Sequence, residues 1–200
     1  MTPLADTLLA LHNRLEGAGI GHAIGGAIAL AYHTGEPRAT IDIDVNVFVG
    51  VSQAGRVLDA LKDLVEATQK DRRELERAGQ VRLFHDDIPV DLFFATVPFH
   101  AAAAARTEEV EFFGRTIPIL SATDLAVCKV VFSRDKDWAD LRAMAEAGTV
   151  DVGELRAWVA DILGPDSPNE LRAAKLFEEV AAAGTTTREP ARLPIRPRKP

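Results

Sequence analysis

The stretch Ile41–Val49, IDIDVNVFV, constrains the fold more than any other part of the chain. Ile41, Ile43, Val45, Val47 and Val49 alternate with Asp42, Asp44, Asn46 and Phe48. A period of two, rich in β-branched residues, predicts a strand with one apolar face. Side chains two apart on a strand point the same way, with α-carbons roughly 6.5–7 Å apart. Asp42 and Asp44 therefore share a face on a stiff backbone and can converge on a hard cation. Magnesium suits that arrangement, because it takes oxygen ligands and often combines one or two carboxylates with substrate phosphates. The plainer alternative is a pair of solvated acids, and D-x-D alone does not separate the two.

The segment before this strand adds a phosphate-sized feature. Gly21–Ile24 is a short apolar run that predicts a strand, Gly25-Gly26 follows, and Ala27–Tyr32 has helical character. A helix beginning at bare glycines presents backbone amides at its positive end, where an anion is held. A Cβ at either glycine would keep a phosphate away from those amides. Further on, Gln80–His85, the turn-like Asp86-Asp87 and Ile88–Ala95 read as a hairpin. Asp91 interrupts the apolar run IPVDLFFA, and a charge there is costly to bury unless paired or near a cation. If this arm lies beside Ile41–Val49, Asp91 becomes a third carboxylate next to Asp42 and Asp44. Asp86 and Asp87 are second choices, since they look more like turn residues.

A basic cluster lies in SATDLAVCKVVFSRDKDWADL. Lys129, Ser133, Lys136 and Asp140 are spaced four, three and four apart, which places them on one face of a continuous helix. Lysine is a compact point charge, so two of them beside a carboxylate–metal site suit a triphosphate. Arg134 stands one step off this line. The alternative is a solvated face with a Lys136–Asp140 ion pair.

As a set, Gly25-Gly26, Arg38-x-Thr40 and Asp42-x-Asp44 resemble the nucleotidyltransferase superfamily. They look most like its AbiEii/MenT branch, the toxin enzymes of toxin–antitoxin pairs. The resemblance spans roughly Ile20–Leu141. It implies an α/β (α+β) fold: a small mixed sheet flanked by helices, followed by a C-terminal helical part. The branch places a third carboxylate between hydrophobic residues, which carries that role to Asp91. It also carries a Lys, then an Arg, then basic-Asp-x-x-Asp, matched here by Lys129, Arg134, Lys136, Asp137 and Asp140. The implied catalytic residues are Asp42, Asp44, Asp91 and Lys129, with Asp42, Asp44 and Asp91 holding one or two Mg2+ ions. The implied nucleotide-binding residues are Gly25, Gly26, Thr40, Lys129, Arg134, Lys136, Asp137 and Asp140.

The implied reaction transfers a nucleotide from a nucleoside triphosphate to the 3′ end of tRNA, blocking translation, with a cognate antitoxin as partner. The same chemistry on a small-molecule hydroxyl, as in aminoglycoside nucleotidyltransferases, is the alternative. Modification of a protein hydroxyl and a non-catalytic nucleotide-binding or partner-binding module are further ones. Many superfamily members have Gly-Ser where this chain has Gly25-Gly26, so no hydroxyl is offered to phosphate there.

Composition narrows the remaining classes. The 200 residues allow a core over 1–120, a C-terminal helical part over 121–184 and a flexible tail over 185–200. The net charge of −7 argues against broad coating of nucleic acid, though not against one basic groove. A single cysteine, Cys128, forbids an internal disulfide and fits a reducing cytoplasm. The N-terminal residues lack a basic region with a continuous apolar core, so neither a signal peptide nor a membrane span is expected. Helix starts are expected at Thr2-Pro3, Ser52, Ser121 with Asp124, Asp151 with Glu154, and Ser167-Pro168 with Glu170. Arg72, Arg73 and Arg77 lie in a charged helix or loop. The scattered histidines read as packing or surface groups, with His33 nearest the glycine turn.

Overall fold

The computed structural model describes residues 2–183 and the strand Ile195–Pro197. The expected tail over 185–200 otherwise lies outside the described residues. Helix α1 (Pro3–Gly17) is capped by the Thr2 side chain, which accepts from the Ala5 amide, and it buries Leu8, Leu11 and Leu15. Strand β1 (His22–Ile24) leads through Gly25 into α2 (Gly26–Thr34). Strand β2 (Ile43–Gly50) carries Asp44, and Asp42 stands just before its first residue. Helices α3 (Ala54–Leu61) and α4 (Gln69–Ala78) then lead to the hairpin of β3 (Gln80–His85) and β4 (Ile88–Ala95). After α5 (Pro98–Ala105), a second hairpin pairs β5 (Glu108–Phe112) with β6 (Arg115–Ile119). From Ala122 to Ala183 the chain is helical apart from its turns: α6 (Ala122–Phe132), α7 (Asp135–Ala147), α8 (Val152–Leu163) and α9 (Pro168–Ala183).

The sheet is mixed, as expected, with the order β3-β4-β2-β1-β6-β5 and β7 (Ile195–Pro197) paired beyond β5. Strand β2 lies between β1, antiparallel to it, and β4, parallel to it. Ile43, Val45 and Val47 are fully buried, so the apolar alternation does set the strand's face. That burial fixes the register, because a one-residue slip would drive Asp44 into the core. Helix α1 packs on β1, β6 and α3, while α2 packs on α6 and α7. The last four helices pack on one another, and the contact of α2 with α6 and α7 ties this group to the sheet's first crossover.

Three local expectations change. Ile41 is 78% exposed and precedes the strand, which starts at Ile43. Ser52 lies inside a short 3-10 turn, Val51–Gln53, and does not cap α3. The helix expected to run from Lys129 to Asp140 is broken, with Ser133 in the left-handed region at φ 55°. Its restart is fixed locally. The Arg134 amide donates to the Asp137 carboxylate at 3.0 Å, and the Trp138 indole N–H donates to Ser133 Oγ at 3.1 Å. An aspartate that takes an otherwise orphaned amide of the first turn competes effectively with helix continuation.

Candidate active site

The centre lies where β1 turns into α2 beside β2 and β4. Asp44 and Asp91 are register partners on adjacent parallel strands, so they share one face of the sheet. Across the hairpin Arg82 stands opposite Asp91. Its guanidinium grips that carboxylate through Nε at 2.7 Å and Nη2 at 2.6 Å, and Nη2 also reaches Asp42 Oδ2 at 3.4 Å. Asp42 is further held by the Thr40 hydroxyl, which donates to Oδ1 at 2.7 Å. The sheet therefore gathers the three expected carboxylates around an arginine. Among the described residues no group of three or more His, Cys, Asp or Glu side chains converges closely enough to hold a metal ion.

Charge in this corner is strained. Burial, and then the neighbouring charges of Asp42 and Asp91, push the Asp44 carboxyl up from 3.8 to about 6. For Asp42, burial pushes upward, but the Thr40 hydrogen bond and the Lys136 and Arg82 charges outweigh it and hold the carboxyl below its usual value. A cation between Asp42 and Asp44 would relieve the repulsion that raises Asp44. Two hard oxygen donors with one strained carboxyl thus fit a magnesium ion, and Arg82 already supplies part of that positive charge.

The glycine pair divides its roles. Gly26 has φ +55°, and a Cβ there would lie 1.7 Å from Asp44 Oδ2, so any larger residue would collide with the carboxylate. Gly25 departs from expectation. Its amide donates to the Asp44 carbonyl at 2.9 Å, completing the β1–β2 ladder, so it is not available to a phosphate. The residues at the head of α2 that line the cavity are Gly26 and Ala27.

That cavity, of about 340 Å3, also carries Thr40, Asp42, Asp44, Lys129, Arg134 and Lys136. The basic cluster reaches it by a route that the uninterrupted-helix reading did not foresee. Lys129 Nζ bonds Asp140 at 2.6 Å and lies 3.8 Å from Asp137, across the break between α6 and α7. Arg38 also bonds Asp140, at 3.0 Å, and Arg134 Nε bonds Asp137 at 2.7 Å. Asp137 and Asp140 are buried anions that hold three basic groups at the cavity wall. Asp140 thus pairs with Lys129 and Arg38, the alternative Lys136 pair being absent among the described contacts. Lys136 is exposed.

Asp91 lines a second cavity, of about 480 Å3, with Arg82, Phe93, Phe132 and Arg134. Arg134 lines both. Arg82 belongs to none of the sequence motifs, yet a hairpin turning at Asp86-Asp87 pairs 85 with 88 and therefore 82 with 91. Phe132 gives no sequence signal, since it reads as one more apolar residue of α6. Elsewhere, His33 is buried with Nε2 against the Leu120 carbonyl at 2.8 Å, and His85 Nδ1 meets the Leu64 carbonyl at 2.7 Å, both structural contacts. Burial pushes the Cys128 thiol up to about 12, which leaves it inert as a nucleophile.

The family model described as nucleotidyltransferase of unknown function (DUF6036) matches residues 21–182. The chain belongs to this nucleotidyltransferase family. Two solved structures of the antibiotic-resistance factor ANT(2″)-Ia share its fold. The solution structure has a TM-score of 0.57 at 13% identity, covering 90% of this chain and 97% of that one. The crystal structure with adenylyl-2″-tobramycin has a TM-score of 0.52 at 13% identity, covering 91% and 99%. An antigenic nucleotidyltransferase-like protein from Paracoccidioides brasiliensis is 18% identical over 85% of this chain and 90% of that one, with a TM-score of 0.49. No curated protein matches the sequence. Among the described residues of this nucleotidyltransferase no helix is long and apolar enough to cross a membrane.

Proposed function

We propose that the protein is a magnesium-dependent transferase that moves a nucleoside monophosphate from a nucleoside triphosphate to an acceptor hydroxyl, releasing pyrophosphate. The observation that carries this reading is the single cavity joining Asp42 and Asp44 to the head of α2 and to Lys129, Arg134 and Lys136. Carboxylates on one wall and cations on the other match a metal-bound triphosphate, with the β- and γ-phosphates toward α2 and the basic groups. Asp42 and Asp44 would hold the magnesium, which when bound neutralises phosphate charge and polarises the α-phosphorus. Thr40 keeps Asp42 in place. Lys136 and Arg134 bind the triphosphate, and Lys129, locked by Asp140, fixes the wall behind it. Asp91, on the second cavity's side, accepts the proton of the attacking hydroxyl through a lone pair that its two bonds from Arg82 leave open. Catalysis is then mainly positioning and charge neutralisation.

The acceptor proposed first is the 3′ end of tRNA, with the protein acting in the cytoplasm as the toxin of a toxin–antitoxin pair. The support is the motif set shared with the AbiEii/MenT branch. A small-molecule hydroxyl is the second reading, favoured by the shared fold of ANT(2″)-Ia and by a cavity of small-molecule size beside Asp91. Incubation with each labelled nucleoside triphosphate, Mg2+ and total tRNA is the test. Label on RNA that Asp42→Asn abolishes supports the first reading. Label found instead on a small alcohol moves the assignment to the second. Undiminished transfer by the folded Asp42→Asn protein overturns the metal assignment.

A further inference from the structure

We infer that the second cavity is the acceptor site and takes a nucleotide-like end: a flat ring on Phe132, a phosphate toward Arg82, and a hydroxyl beside Asp91. This deepens the transfer reading above and rests on it. Position comes first. An in-line displacement brings the nucleophile to the α-phosphorus from the side opposite the departing pyrophosphate. The pyrophosphate end belongs with α2 and Lys136, in the first cavity. Asp91 and Arg82 form the partition, because both line the second cavity and not the first, while Arg82 still touches Asp42.

The lining then limits the chemistry. Phe132 is 41% exposed, unusual for a phenylalanine that also packs edge-on against Phe93 with ring centroids 5.7 Å apart. The Arg134 guanidinium stands 5.1 Å from the Phe132 centroid. A planar ring beside that phenylalanine gains both stacking and the arginine's flat face, a combination that binds bases without reading their identity. The cavity's two acids are already engaged: Asp91 by Arg82, and Glu74 by Arg77 at 2.5 Å. A polycationic sugar would meet two carboxylates whose charge is already matched, whereas a phosphate can meet Nη1 of Arg82, the guanidinium nitrogen that its two bonds to Asp91 do not use. A smaller cavity of about 220 Å3, lined mainly by apolar side chains, shares Gln80, Phe93 and Phe132 with it, so apolar surface backs this side of the ring.

The same chemistry belongs to a free nucleotide and to the 3′ end of an RNA, so the experiment has an arm for each. The protein is first saturated with Mg2+ and a non-hydrolysable triphosphate analogue, which fills the first cavity. Labelled adenosine monophosphate, a labelled 12-residue RNA with a free 3′ hydroxyl, and tobramycin are then titrated separately by calorimetry. The wild type is expected to bind at least one of the first two, with the RNA alone or the mononucleotide as well identifying the source. Phe132→Ala weakens that binding by about 10-fold or more, Phe132→Trp restores it, and affinity for the analogue does not change. Equal binding by Phe132→Ala, or tobramycin binding that depends on Phe132, overturns the proposal. If no transfer is ever detected but Phe132-dependent binding persists, the reaction fails while the subsite stands.

Discussion

Asp44→Asn should stabilise the metal-free protein while abolishing transfer. The Asp44 carboxyl rises from 3.8 to about 6 because folding buries it beside two other acids. That is about two units, and at ~1.36 kcal/mol per unit the ionised form costs about 3 kcal/mol in the folded state. The folded-state value lies above the unfolded one. Its favourable state is therefore the protonated one, complete below pH 3.8 and lost as pH rises through about 6. Asparagine has the same shape and no charge, so it escapes the cost at neutral pH. The assay is urea unfolding in EDTA at pH 4, 5.5 and 7.5. The variant should exceed the wild type by about 3 kcal/mol at pH 7.5, by about 2 kcal/mol at pH 5.5, and by about 0.5 kcal/mol at pH 4. Millimolar Mg2+ should then stabilise the wild type much more than the variant, since a ligand that binds only the folded form shifts the equilibrium. A variant no more stable than the wild type at pH 7.5, or a gap that does not change with pH, refutes the electrostatic account of this corner.

Three further outcomes follow from the same geometry. Gly26→Ala places a Cβ against Asp44 at a left-handed position, so it should cost at least about 1–2 kcal/mol in urea unfolding and remove transfer. Lys129→Met leaves Asp140 to Arg38 and Asp137 to Arg134 and should cost about 1–3 kcal/mol, whereas adding Asp140→Asn should recover part of the loss. Arg82→Met frees Asp91 and Asp42 of their competing cation, so calorimetric Mg2+ binding without nucleotide should tighten; unchanged affinity would mean that Arg82 does not compete for this site.

Strand alternation assigns Asp44 its face before any partner is known, and β2 keeps that face, while Asp42 falls just outside the strand and is held by Thr40 and Arg82 instead. Asp91 was legible because a lone acid in IPVDLFFA has few tolerable surroundings. The role of Gly25 was misread, since the β1–β2 ladder that claims its amide is a long-range pairing with no local signature. The spacing of Lys129 and Asp140 predicts one helix face, but Ser133 breaks the helix, and the lysine meets Asp140 across the break.

The amino-acid order alone determined most of the strands and helices and the face on which Asp44 and Asp91 stand, because period, caps and turns act over a few residues. Only the tertiary structure decided who neutralises whom. Arg82 on Asp91, Arg38 and Lys129 on Asp140, and Phe132 facing a cavity all join residues distant in sequence or exposed by a bend. Buried charge takes whichever counter-charge the packed chain brings within reach, and that choice is made in space.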